Sequence, residues 1–224
     1  MKTIIPNMLT CSNLVFGFLA IIAAYHEQFT AAALLVFVAM VADGLDGRVA
    51  RYFGVSSEFG KELDSLCDAG SFGVAPAFLA YVYMLKDFGW IGAVIAAAFA
   101  TCGSLRLARF NVMTGVVKGY FLGLPIPAAG CTVATFVMTG LKPAGWWFPL
   151  MVAVFAYLMV STVKYPDFKG KGEKIRPVPA VLACLVGGYI VYLSLPGVLF
   201  AAFFAYAVFG ILNNLFAMFE SKDA

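Results

Sequence analysis

Long apolar runs separated by brief polar interruptions make up most of the chain. Eight can be drawn, over 13–25, 29–51, 58–85, 89–112, 123–141, 146–163, 177–194 and 197–218. Each approaches the ~20 residues an α-helix needs to cross a bilayer, with the first and fifth the shortest. The interruptions are tight: His26-Glu27-Gln28, Lys86-Asp87-Phe88-Gly89, Lys142-Pro143-Ala144-Gly145 and Ser194-Leu195-Pro196-Gly197. The stretch before Phe121 and the run 164–176 are longer and more basic. The pattern predicts an all-α, polytopic membrane bundle forming a single domain over 1–224. No internal repeat and no low-complexity tract is visible.

Composition agrees. Of the 224 residues, 62% are hydrophobic and 12% charged, whereas about a quarter of an ordinary soluble chain is charged. No polar stretch is long enough for an extramembrane domain. Residues 1–6 lead into an apolar run without a small-residue cleavage site and a soluble domain after it, so no signal peptide is expected.

Charge placement orients the bundle. With the N-terminus inside, the inner face holds Lys2, Arg48, Arg51, Lys61, Arg106, Arg109, Lys118, Lys164, Lys169, Lys171, Lys174, Arg176 and Lys222, thirteen of the 15 cations. Only Lys86 and Lys142 fall outside. Such asymmetry follows the positive-inside rule and puts both termini in the cytoplasm. Asp43 precedes Arg51 by eight residues, roughly 12 Å at ~1.5 Å per residue, so it lies in the inner leaflet just below the headgroups.

The chemistry is concentrated in four aspartates. Asp43, Asp46, Gly47 and Ala50 stand at i, i+3, i+4 and i+7, one face of a helix. Gly60, Asp64 and Asp68 stand at i, i+4 and i+8, again one face. The short 52–59 connection would make the two helices antiparallel and aim both acidic faces at one point. A carboxylate at membrane depth is costly unless neutralised, and four of one sign cannot neutralise one another. Hard divalent cations suit an all-oxygen donor set. Capping of helix ends, or pairing with Arg48, Arg51 and Lys61, is the alternative use of these carboxylates. Gly44, Gly47, Ala50 and Gly60 leave room for a bulky group near the backbone. Clustered divalent ions serve phosphoryl transfer, and at headgroup depth that points to a phosphorylated lipid.

Other reactive residues add little. Cys11, Cys67, Cys102, Cys131 and Cys184 are scattered without a CxxC pair and read as free, buried thiols. His26, the single histidine, falls in an outer loop, so neither histidine catalysis nor a zinc site is available.

The run from Asp43 to Asp68 reads D-x2-D-G-x2-A-R-x8-G-x3-D-x3-D and resembles the signature of the CDP-alcohol phosphotransferases. Pro6–Gly17, Arg106-Leu-Ala-Arg109-Phe-Asn111, Phe121–Ala129 and Met159–Pro166 are similar to segments of its phosphatidylserine synthase branch. The resemblance implies a six-helix core, two spans fewer than drawn, and the charge placement turns the active site of this integral protein of the cytoplasmic membrane toward the cytoplasm. It implies transfer of a phosphatidyl group from CDP-diacylglycerol to L-serine with release of CMP, in a homodimer, with membrane lipid but no nucleic acid as partner. It places two divalent ions, Mg²⁺ or Mn²⁺, on Asp43, Asp46, Asp64 and Asp68, with Asp68 as general base on the acceptor hydroxyl. Asn13, Gly47, Ala50, Arg51 and Gly60 fall on the nucleotide and diphosphate side. For Arg51, a snorkelling interfacial anchor is the plainer role.

The acceptor side is set less tightly. Arg106 and Arg109, at i and i+3, share a helix face, with Asn111 close behind, and are the expected cations for a serine carboxylate. Topology charge is their plainer role. Inositol, inositol phosphate or glycerol 3-phosphate are alternative acceptors in the same chemistry. An ion-coupled transporter is disfavoured by the missing repeat and by an acidic cluster lying toward one face.

Overall fold

Pro6 stands in the first turn of the first helix, α1 (Ile4–Tyr25), where its missing N–H has no intrahelical role to lose. Pro6, Thr10, Asn13, Gly17, Ala20 and Ala24 recur every three or four residues and are buried, while Met8, Val15, Phe18 and Ile22 on the other faces are exposed. The chain turns at Glu27, in a left-handed conformation with φ 57°, into α2 (Phe29–Tyr52), which answers with Ala32, Ala33, Val36, Ala39 and Ala42. In lipid, apolar burial gives helices no reason to associate, so close fit between small-residue faces drives contact. Among the described residues the α1–α2 pair is the most extensive helix packing. The structure, a computed structural model, describes residues 4–55, 57–113, 120–166, 177–193 and 197–220. Lys2, Ser56 in the 52–59 connection, Lys118, Lys169, Lys171, Lys174, Arg176 and Lys222 lie outside them.

The third rod is a composite. Ser57 caps α3 (Glu58–Asp68), its hydroxyl accepting from the Gly60 N–H at 3.0 Å, and Glu58 in the first turn suits the positive helix end. A π-helical stretch (Ala69–Val74) follows directly on Asp68, then α4 (Ala75–Tyr83). Pro76 cannot donate, and its ring crowds the carbonyl four residues back; the wider turn absorbs this. Two glycines let neighbouring helices clasp the stretch. A Cβ on Gly17 would overlap Ser71, and one on Gly130 would overlap the Phe72 backbone.

A 3₁₀ turn (Leu85–Phe88) leads into α5 (Gly89–Met113), then β1 (Tyr120–Leu122), α6 (Ile126–Met138), α7 (Trp147–Val160), β2 (Lys164–Pro166), α8 (Pro177–Leu193) and α9 (Val198–Glu220). Phe72, Leu79, Phe99, Leu124, Ile126, Val133, Phe148 and Met159 form the buried centre. The molecule is the all-α membrane bundle expected, and among the described residues five rods are long and apolar enough to cross: Ile4–Tyr25, Phe29–Tyr52, Glu58–Tyr83, Leu85–Met113 and Val198–Ala217.

Three details correct the sequence reading. The first span starts at Ile4 rather than 13 and is 22 residues long. The runs 123–141 and 146–163 contract to helices of 13 and 14 residues, about 20 Å each against a ~30 Å hydrocarbon core. Their flanks are diverted: Pro125 precedes α6, and β1 pairs with β2 antiparallel, Phe121 opposite Tyr165. That hairpin joins residues some 40 apart and has no local signature.

The two cations expected outside do share one end. Lys86 pairs with Glu27 at 3.1 Å, and Lys142 lies 5.3 Å from the centre of the Tyr83 ring. Trp90, Trp146, Trp147 and Tyr25 are exposed at that end, as aromatic residues are at a membrane interface. The acidic faces of α2 and α3 lie at the other end.

Candidate active site

The last turns of α2 and the whole of α3 bring Asp43, Asp64 and Asp68 together, one carboxylate oxygen from each lying within 4.8 Å of the others. The convergence predicted from two helical faces is real, but it is a triad. Asp46, one turn beyond Asp43, is buried and accepts from Thr10 Oγ1 at 2.5 Å. The Thr10 hydroxyl also lies 3.1 Å from the Pro6 carbonyl oxygen.

Asp68 is oriented from α1. Asn13 Nδ2 donates to its Oδ1 at 3.0 Å, and the Asn13 carbonyl accepts from Ser71 Oγ of the π-helical stretch at 2.9 Å. Asn13 is fully buried and thus supports Asp68 from behind; it is not among the residues lining the neighbouring pocket, where the nucleotide was expected. The wider π turn and Gly17 are what allow Ser71 and Asn13 to meet.

The triad fits a hard divalent cation. Asp64 Oδ1 is buried and has no hydrogen-bond partner, and such an oxygen is costly unless a positive charge meets it. Three clustered carboxylates supply the oxygen donors that Mg²⁺ or Mn²⁺ prefer, whereas Cys67 lies outside the cluster.

Beside the triad opens a pocket of about 290 Å³. Gly47, Ala50, Arg51 and Gly60, four of the five residues expected on the nucleotide side, line it together with Asp46 and Asp64. Gly47 leaves the floor open, since a Cβ there would meet only the Arg51 guanidinium, at 3.6 Å. Pro6, Asn7, Thr10, Val55, Ser57 and Lys61 complete the wall. None of these was assigned to the site from sequence: Lys61 was weighed as a partner for the carboxylates, and Pro6, Asn7 and Thr10 entered only within the family-like segment Pro6–Gly17. Yet Thr10, Asn13 and Gly17 at i, i+3 and i+7 form a polar and small stripe on an otherwise apolar helix.

The three residues expected at the acceptor separate. Arg106 is 6% exposed, with its guanidinium carbon 5.2 Å from the Phe110 ring and 5.8 Å from the Phe121 ring. Its Nε has no hydrogen-bond partner, and Asp68 is the carboxylate whose field reaches it. Arg109 is spent on the fold: its guanidinium donates to the carbonyls of Leu122, Met159, Val160 and Ser161 at 2.9–3.2 Å. Asn111 donates to Ser65 Oγ at 2.9 Å, tying α5 to α3 one residue from Asp64.

The family model for CDP-alcohol phosphatidyltransferase matches residues 3–163. The chain belongs to that family. Among the described residues, six of the eight helical rods fall inside the match, and α8 and α9 lie beyond it. The protein is therefore a transferase and an integral membrane protein, of a family that generally depends on divalent metal. Its relatives include the CDP-diacylglycerol–serine O-phosphatidyltransferase of Helicobacter pylori (strain ATCC 700392 / 26695), 37% identical over 220 residues, covering 95% of this chain and 92% of that protein. The enzyme of that name from Bacillus subtilis (strain 168) is 37% identical over 169 residues, 74% of this chain and 91% of the other. The archaetidylserine synthase of Methanothermobacter thermautotrophicus is 41% identical over 170 residues, 75% of this chain and 72% of its own.

Proposed function

We propose that the protein joins the phosphatidyl group of CDP-diacylglycerol to the hydroxyl of L-serine, giving phosphatidylserine and CMP. The observation that carries this is the carboxylate triad set against a glycine-floored pocket at one end of a membrane bundle. The relatives' names favour serine: the lipid differs between the phosphatidyl and archaetidyl enzymes, and serine is the common element.

Asp43, Asp46, Asp64 and Asp68 would hold two divalent ions, Mg²⁺ or Mn²⁺. Bound there, the ions would neutralise diphosphate charge and polarise the attacking hydroxyl. The chain's own groups do the rest. Gly47, Ala50 and Gly60 admit the cytidine against bare backbone, and Arg51 meets the diphosphate with a planar fork of donors. Arg106 takes the serine carboxylate. Asp68, held in orientation by Asn13, accepts the serine hydroxyl proton. The serine oxygen forms its bond to the lipid-side phosphorus as the bond from that phosphorus to the CMP oxygen breaks, and CMP leaves with the electron pair. Thr10 keeps the Asp46 carboxylate turned to the pocket.

The reading includes one domain over 1–224, a homodimer, and a site opening to the cytoplasm, the last supported by the thirteen cations assigned to the inner face. An acceptor panel tests it. Purified protein with CDP-diacylglycerol should release CMP with serine and not with inositol, inositol phosphate or glycerol 3-phosphate. Release with one of those and not with serine would overturn the acceptor.

A further inference from the structure

Arg106 and Arg109 lie one turn apart on α5, yet only Arg106 retains an unpartnered buried donor. Arg109 spends its donors on main chain. Three of its acceptors, Met159, Val160 and Ser161, are carbonyls at the C-terminal end of α7, where no further helical N–H exists to bond them. A cation there also suits the negative helix end. The fourth, Leu122, belongs to β1. The guanidinium thus fastens β1 to the end of α7.

The chain wraps this guanidinium tightly. Gly123 has φ +77°, and a Cβ on it would overlap both the Met159 carbonyl oxygen and Arg109. Gly123 N–H donates to Val163 O at 2.8 Å and Leu124 N–H to Leu158 O at 3.0 Å, extending the same fastening. One residue before Leu122 is Phe121, whose ring packs beside that of Phe110, centroids 6.1 Å apart, so that the two rings form one aromatic wall against Arg106.

We propose that Arg109 is a positioning residue for the acceptor: by gathering these carbonyls it fixes Phe121 over Arg106 and so holds the Arg106 guanidinium where a small carboxylate must meet it. This rests on the assignment of Arg106 to the serine carboxylate. It replaces the expectation that Arg109 touches the acceptor itself. A guanidinium packed against a wall of two rings keeps its planar fork aimed, and loosening one of those rings costs ligand affinity without touching the nucleotide pocket.

The test uses full-length protein in lipid nanodiscs and the variants Arg106→Lys, Arg109→Gln, Arg109→Lys, Phe121→Leu and the doubles of each of the last three with Arg106→Lys. Serine KM, CDP-diacylglycerol KM, kcat and Tm are measured for each. Arg109→Gln and Phe121→Leu should each raise serine KM ~10-fold, the scale of one lost charge-assisted hydrogen bond, with CDP-diacylglycerol KM within ~2-fold. Arg109→Lys should recover part of that loss. In the Arg106→Lys background neither change should raise serine KM further, because both act through Arg106. A lower Tm with unchanged serine KM would make Arg109 a fold clasp only and overturn the proposal. Should Arg109→Gln not fold, the Phe121→Leu cycle decides alone, and additive effects there overturn it. An Arg106→Lys protein with unaltered serine KM would instead remove the assignment of Arg106, and the proposal with it.

Discussion

Replacing Asp64 by Asn keeps the side-chain shape and removes one charge from the triad, and the metal reading predicts opposite effects on stability and activity. Each pair of carboxylates in the cluster has oxygens within 4.8 Å. At that separation two unit charges repel by about 3.5 kcal/mol at an effective dielectric constant of ~20. Asp64→Asn removes two of the three pairwise repulsions, up to about 7 kcal/mol when all three groups are ionised. Without metal, the variant should therefore unfold at a higher temperature than wild type. With metal the balance reverses. A divalent ion sits closer to a carboxylate than the carboxylates sit to one another, so the lost attraction exceeds about 3.5 kcal/mol, or ~300-fold in metal affinity or activity. The assay is thermal unfolding in detergent with EDTA and with excess Mn²⁺, alongside CMP release. Wild type should gain stability on adding Mn²⁺, and Asp64→Asn should gain little. Activity within tenfold of wild type, or a lower Tm than wild type in EDTA, would refute the reasoning.

Three further outcomes follow from the packing around the site. Asn13→Ala removes the donor to Asp68 at 3.0 Å; kcat should fall roughly 10- to 100-fold, the range for a bond to a charged group, and an unchanged kcat would detach Asn13 from Asp68's role. Gly17→Val places a side chain where Ser71 sits, so it should destabilise by ~1–3 kcal/mol and lower Tm, whereas Gly44→Ala, with open space around it, should not. In a cysteine-free background, Val55→Cys and Gln28→Cys should label from opposite sides of the membrane, Val55 from the cytoplasm; labelling from one side would break the topology.

What the sequence alone determined is whatever a single helix decides. The 3.6-residue period places Asp43 with Gly47 and Ala50, and Gly60 with Asp64 and Asp68, whatever the rest of the chain does. Two such faces joined by a short connection can only meet, and Asp43, Asp64 and Asp68 do. Charge asymmetry likewise follows from the bilayer, which acts on each span separately, whereas α1, α6 and α7 depart in length from the apolar runs drawn. Partnerships between distant segments were not legible. Thr10 meets Asp46 across 36 residues and Asn13 meets Asp68 across 55, and nothing local in either helix announces the other. Arg106 and Arg109 show the limit most clearly. On the helix they share a face and a charge, and by sequence they were equivalent candidates. The tertiary structure separates them because the ends of α7 and β1 converge on one guanidinium and leave the other against a wall of two rings. Which cation is consumed by main-chain carbonyls depends on where chain segments some 40 residues apart come together, and only the folded chain sets that.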